Sequence, residues 1–174
     1  WARRVLGAGL LALCAVLAWQ FTKVALATRH TRLGDDAKLD VLNPDIALDY
    51  YRRAIAADPG FSTPHWKTGD ILRSQAQWRR GEEKKAERLQ LARQAIQSYA
   101  AALRLNPYET EVLLRAANAD EMAGDDEAAL RKYLRAVELE PQSAINHLKI
   151  GRFYRDHDNA ELALKHYQYA MSIQ

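Results

Sequence analysis

"ALDYYRRAIAADP", residues 47–59, returns three times in the same chain. It recurs as "AIQSYAAALRLNP" from Ala95, "ALRKYLRAVELEP" from Ala129 and "ALKHYQYAMSIQ" from Ala163. In each copy an Ala is followed four residues later by Tyr, and three residues after that by a second Ala. Ala47, Tyr51 and Ala54 correspond to Ala95, Tyr99 and Ala102. They correspond again to Ala129, Tyr133 and Ala136, and to Ala163, Tyr167 and Ala170. Steps of four and three place the trio on one face of a helix. Small Ala lets a neighbouring helix approach, and Tyr fills the space beside it. Three copies close on Pro59, Pro107 and Pro141, where a proline ends the helix and turns the chain.

A partner helix lies upstream of each full copy. "INHLKIGRFY" carries Ile150, Gly151 and Tyr154, and "VLLRAANADEMAGD" carries Leu113, Ala116, Ala117 and Gly124. From Ala117 to Gly151 is 151 − 117 = 34 residues, and from Ala129 to Ala163 is 163 − 129 = 34. This 34-residue helix-turn-helix period, with small residues at the crossings, resembles the tetratricopeptide repeat. The resemblance spans residues 43–174. It rests on Gly69, Ala95, Tyr99, Ala102 and Pro107; on Ala117, Gly124, Ala129, Tyr133, Ala136 and Pro141; and on Gly151, Tyr154, Ala163, Tyr167 and Ala170. Two positions depart from it: Asp120 stands where the family has an aromatic, and Asp158 where it has a turn glycine. The expected domain divides into a half repeat at 43–61, entered through Asn43-Pro44, an extended repeat at 62–109, and repeats at 110–143 and 144–174. One helix pair cannot bury its apolar face alone, so each copy becomes cover for the next.

The extended repeat is longer by a definite amount. Gly69 to Ala95 is 95 − 69 = 26 residues, against 12 for both Ala117 to Ala129 and Gly151 to Ala163, leaving 26 − 12 = 14 extra. Fourteen residues are about four helical turns, expected as two on each arm of a hairpin with Gly81 at its tip. The expected buried stripes are Ile71 and Trp78, flanked by Leu72 and Ala76, on the first arm, and Ala86, Leu89 and Ile96 on the second. The arms carry Arg79, Arg80, Lys84, Lys85 and Arg88 against Glu82, Glu83 and Glu87. That reads as a solvated hairpin or as a docking spur for a partner or for lipid headgroups.

Ahead of the repeats, "VLGAGLLALCAVLAWQF" runs from Val5 to Phe21 without a charge. As helix it spans roughly 26 Å, close to the apolar thickness of a bilayer. Arg3 and Arg4 precede it, and Trp19, Phe21 and Lys23 suit the far interface. A transmembrane helix with its flanks over residues 1–28 is expected, with lipid contact through residues 5–27 and a linker at 29–42. A cleaved signal ending at Ala25-Leu26-Ala27, a lipid anchor on Cys14 and a buried soluble helix are the alternatives. The Arg3-Arg4 flank favours an N-inside anchor, which puts the repeats on the periplasmic side. Ala8, Ala12 and Ala15 share a face that could admit another membrane helix. The first residue is Trp1, so the chain reads as processed, a fragment, or part of a longer protein.

Composition narrows the function classes. Of 174 residues, 25 are basic and 22 acidic, a net charge of +3 that argues against a dedicated nucleic-acid surface. The single Cys14 excludes an intrachain disulfide and a cysteine zinc site. His30, His65, His147, His157 and His166 show no metal-ligand spacing, and there is no phosphate loop or nucleophile elbow. The expectation is an all-α chain: one transmembrane helix, then an α-solenoid of about three and a half helix pairs, one with elongated arms. It is expected to be no enzyme and to carry no catalytic residue, cofactor or metal.

The resemblance implies a groove lined by the first helices of each pair. Carried over by repeat position, it comprises Trp66, Asp70 and Arg73; Leu114, Asn118 and Glu121; and Leu148, Arg152 and Arg155. Trp66, Leu114 and Leu148 occupy one position in three units, an apolar ladder for an extended or helical segment. The Lys/Asn pattern that some members use to grip a C-terminal carboxylate is absent there. The expected function is a membrane-anchored scaffold for other, membrane-bound protein subunits, in a bacterial setting. Two other readings stand beside it. One is the C-terminal part of a polytopic envelope enzyme, since some bacterial glycan polymerases and O-antigen ligases look like this. The other is a soluble peptide-binding adaptor.

Overall fold

A computed structural model describes residues 2–40, 43–79 and 81–173, with side-chain surroundings from Leu11 onward except at residues 39 and 40. Among the described residues eight α-helices follow in order: α1 Ala2–Asp40, α2 Pro44–Ala57, α3 Ser62–Trp78, α4 Lys85–Leu105, α5 Thr110–Ala123, α6 Asp126–Leu139, α7 Ala144–Asp156 and α8 Ala160–Ser172. Those residues include no strand. The chain divides into two units, Trp1–Pro64 and His65–Gln174.

In the first unit, α1 and α2 pack together. The stretch 29–42, expected as linker, is helical through Asp40, and residues 41 and 42 lie outside the described residues. Ala27, Thr31, Gly34 and Ala37 are buried along one face of α1, at steps of four, three and three. A Cβ on Gly34 would come within 2.5 Å of the Tyr51 ring, and the Tyr51 hydroxyl donates to Asp35 Oδ1 at 2.8 Å. The half repeat at 43–61 therefore has its first helix after all, in the last part of α1. The sequence hid it because no Gly, Pro or cap separates the apolar run from the amphipathic one. Asn43 caps α2 as expected, its Oδ1 accepting from the backbone nitrogens of Asp45 at 3.1 Å and Ile46 at 3.3 Å.

From Leu11 to Leu26 every α1 residue but Lys23 is exposed, Phe21 to 76%. Leu11–Lys38 is long and apolar enough to cross a membrane. Val5–Leu10, the start of the expected span, lie outside the residues whose side chains are described.

In the second unit α3–α8 form three successive helix pairs. Tyr99 and Tyr133 are fully buried at the centres of the first two, among Ala95, Ala102, Ala116 and Ala119, and among Ala117, Ala129, Ala136 and Phe153. Small residues make room for the rings: a Cβ on Gly69 would lie 2.8 Å from Tyr99, and one on Gly151 2.8 Å from Tyr167. Tyr167, in the last pair, is only half-buried.

The long hairpin is less symmetric than expected. α3 has 17 residues and α4 has 21, against 14 in α5 and α6, so the arms gain about one turn and two turns. The rest of the insertion forms the tip, where Gly81 has φ +99° and Glu82–Lys84 make a 3-10 turn. Arg79 and Glu87 tie the arms at 2.9 Å. Ile71 and Ala76 are buried, but Trp78 is 79% exposed and Ala86 is exposed, so the buried stripes stop short of the tip. The α4 stripe is Ala92, Ala95, Tyr99 and Ala102. The tip contributes arms with nothing among the described residues to cover them.

Asp120 fills its aromatic's place with charge. It is 3% exposed on α5 and pairs with Lys132 of α6 at 2.5 Å. Burial raises its carboxyl above the ordinary range, opposed by Lys132. Lys132→Ala strands this carboxylate and is expected to cost about 2 kcal/mol, read as a lower urea midpoint. Because the folded state binds this proton more readily, the deficit should shrink as pH falls through the raised value. A deficit that does not change with pH would show that lost packing, not the stranded charge, is responsible.

Candidate functional site

The first helices of the three pairs in the second unit enclose a cavity of about 330 Å³ lined by Arg73, Gln77, Glu111, Leu114, Arg115, Asn118, Ile145, Lys149 and Arg152. Four of the nine residues singled out from sequence lie on it: Arg73, Leu114, Asn118 and Arg152. Asp70 and Glu121 sit beneath it as acceptors for the buried phenols. Tyr99 donates to Asp70 Oδ1 at 2.7 Å, and Tyr133 donates to Glu121 Oε1 at 2.5 Å. Burial first, then these carboxylates, push both phenols far above their ordinary value, so they remain donors.

The expected ladder is uneven. Trp66 is half-buried against the core, with the Arg115 guanidinium 5.2 Å from its ring. Leu114 is buried, whereas Leu148 is 48% exposed and off the cavity wall. Arg155 is exposed and pairs with its neighbour Asp156 at 2.7 Å.

Sequence reasoning misses Gln77, Glu111, Arg115, Ile145 and Lys149. The signal that could have found most of them is the 34-residue period applied to a different stripe. Glu111, Arg115 and Asn118 on α5 become Ile145, Lys149 and Arg152 on α7, each 34 residues on and each at steps of four and three.

The groove floor is cross-linked. Arg115 bridges Asp70 and Glu111, and Arg73 donates to the Tyr99 hydroxyl at 3.2 Å and to Asn118 Oδ1 at 3.4 Å. The α7 side is looser. Arg152 reaches Glu121 only at 3.6 Å and Asp156 at 3.8 Å, and exposed Lys149 makes no ion pair among the described residues. Four cations thus face the cavity with one carboxylate, Glu111, among its lining residues. Exposed Ile145 adds an apolar contact at its edge. Among the described residues no group of three or more His, Cys, Asp or Glu is placed to hold a metal ion.

No known sequence family matches the chain, and no curated protein does. Solved structures do. The crystal structure of MamA is 16% identical, covering 90% of this chain and 85% of its own, with a TM-score of 0.68. TTC0263, a thermophilic tetratricopeptide-repeat protein of Thermus thermophilus, is 19% identical, covering 97% and 88%, at 0.69. The Arabidopsis OM64 tetratricopeptide-repeat domain is 18% identical, covering 78% and 98%, at 0.63. At these identities the likeness establishes the fold: an all-α solenoid of tetratricopeptide-type helix pairs, led by an apolar N-terminal helix and carrying one pair with elongated arms.

Proposed function

We propose that this chain is a membrane-tethered scaffold whose groove between α3, α5 and α7 holds a segment of another protein subunit. The observation that carries the reading is the groove itself: a concave wall on rigid helices, with polar groups already ordered by hydrogen bonds beneath it. Preorganised cations cost little to orient when a ligand arrives. Exposed Lys149, which has no ion pair among the described residues, and loosely held Arg152 favour an acidic segment, with Ile145 contacting an apolar side chain. The nine residues read from sequence divide between the groove surface and the wall beneath it. Arg73, Leu114, Asn118 and Arg152 contact the segment, with Trp66, Leu148 and Arg155 at its margins. Asp70 and Glu121 hold the wall. Exposed apolar side chains from Leu11 to Leu26 support the tether, with the repeats on the periplasmic side.

Crosslinking mass spectrometry on the detergent-extracted protein tests this. Crosslinks from the groove to another membrane-bound subunit are expected, and their confinement within this chain would remove the basis for a scaffold. The double variant Lys149→Glu and Arg152→Glu should cut such crosslinks at least about tenfold, because reversing charge at an interface replaces attraction with repulsion. Losing exposed Lys149 should barely move stability, whereas Arg152→Glu sets a carboxylate beside Glu121, so the urea midpoint is read together with the crosslinks. Undiminished crosslinking in a folded double variant would rule out an acidic segment.

A further inference from the structure

The last helix pair holds a side-chain cluster that the groove does not use. His147 on α7 is buried, and its Nε2 lies 3.0 Å from the carbonyl oxygen of Pro141. A carbonyl only accepts, so Nε2 carries the hydrogen and Nδ1 of the neutral ring presents a lone pair. That lone pair faces Nδ1 of His166 on α8 at 2.9 Å, so His166 donates from Nδ1. The ring centroids stand 5.2 Å apart, farther than the nitrogens by roughly two ring radii. The rings therefore lie end to end along one N–H···N line. A metal would need both lone pairs converging on a point beside that line.

The surroundings are aromatic. Tyr169 packs 4.4 Å from His147, and Tyr154 stacks on His166 at 5.7 Å. From α8 the charge that acts on His166 is that of Lys165. From the α6 side comes the Pro141 carbonyl, while Glu140 is taken by Thr110 and Glu138 by Arg135. Among the described residues no carboxylate pairs with either ring.

One added proton leaves an N–H···N bond intact whichever ring carries it. A second puts two N–H groups and two unit charges face to face. We infer that His147 and His166 form a proton-operated latch, which holds α8 on α7 until both rings are charged and then frees the C-terminal part of α8. Burial, then the charges of His147 and Lys165, hold His166 below the ordinary 6.5. The unfolded chain therefore takes this proton first. The latch contributes its full stability above about 6.5 and loses it as pH falls. His157 runs the other way. Its bond to the Phe153 carbonyl raises it, against a smaller effect of burial, with Asp126 adding to the rise. Its contribution is lost as pH rises, so it cannot cause opening in acid.

Hydrogen exchange on the whole chain in detergent micelles tests the latch, compared at about pH 7.5 and about pH 5 after correction for intrinsic exchange. Protection over residues 163–172 should fall at least about tenfold in acid. Two charges at this ring spacing repel by about fourfold even in water, and by more where the rings are buried. α5 and α6 should hold. His166→Gln keeps a donor for His147 without titrating, and should protect α8 equally at both pH values. Unchanged protection in the wild type, or acid opening in His166→Gln, overturns the latch. Should that variant fail to fold, imidazole nitrogen NMR of the wild type decides alone. Two separated protonation steps for the pair support it, and one coincident ordinary step refutes it. None of these readouts depends on what the groove binds.

Discussion

Tyr99→Ala is expected to lower the unfolding free energy by about 4 kcal/mol, the range for deleting a fully buried aromatic ring. The ring is 0% exposed, lying against Gly69 of α3 and in one buried cluster with Val112, Ala116 and Ala119 of α5. Its hydroxyl also satisfies Asp70, which is buried between Arg73 and Arg115. Removing it opens a cavity and loosens the ionic floor of the groove together. The matched change Tyr167→Ala should cost well under half as much, because that ring is half-exposed and donates to no buried carboxylate among the described residues. Urea midpoints of the two variants in the same detergent decide the matter. Equal losses would mean that the seam does not depend on successive coverage, and the physical account of the repeat would fail with it.

The second large effect concerns the tether. Leu13→Arg together with Leu17→Arg should make the protein extractable by alkaline carbonate without detergent. Each arginine near the bilayer centre costs about 3 kcal/mol relative to an apolar residue, and the pair roughly twice that. Both leucines are exposed on α1, so neither change disturbs the packing against α2 that begins at Ala27. Helicity and the unfolding midpoint should therefore hold. A wild-type protein that already leaves the membrane in carbonate would refute the anchor. So would a double variant that stays behind.

The groove is only partly legible in the chain. Repeat position puts Asp70 and Glu121 on the inner helices, and so among the ligand contacts. In three dimensions they are taken by phenols 29 and 12 residues farther along, which the sequence does not pair with them. In the sequence Arg115 is one charge among many on α5. Its role emerges only when Asp70, Glu111 and the ring of Trp66 surround it. Side-chain partners across helices depend on crossing geometry to within an ångström, and periodicity carries no such resolution.

What the sequence determined by itself is the repeated unit. Ala, Tyr and Ala at steps of four and three dictate a seam, and a seam whose last three copies stand 34 residues apart dictates stacked pairs. The ends of α2, α4 and α6 follow from Pro59, Pro107 and Pro141 for equally local reasons. The tertiary structure alone decided where the first pair begins. Gly34 and Asp35 repeat as Gly69 and Asp70, yet only contact with Tyr51 shows that a helix continuous with the apolar span serves as a repeat helix. It also decided which inner-face residues stay exposed. Burial is a property of two surfaces meeting, and a single strand of letters records only one of them.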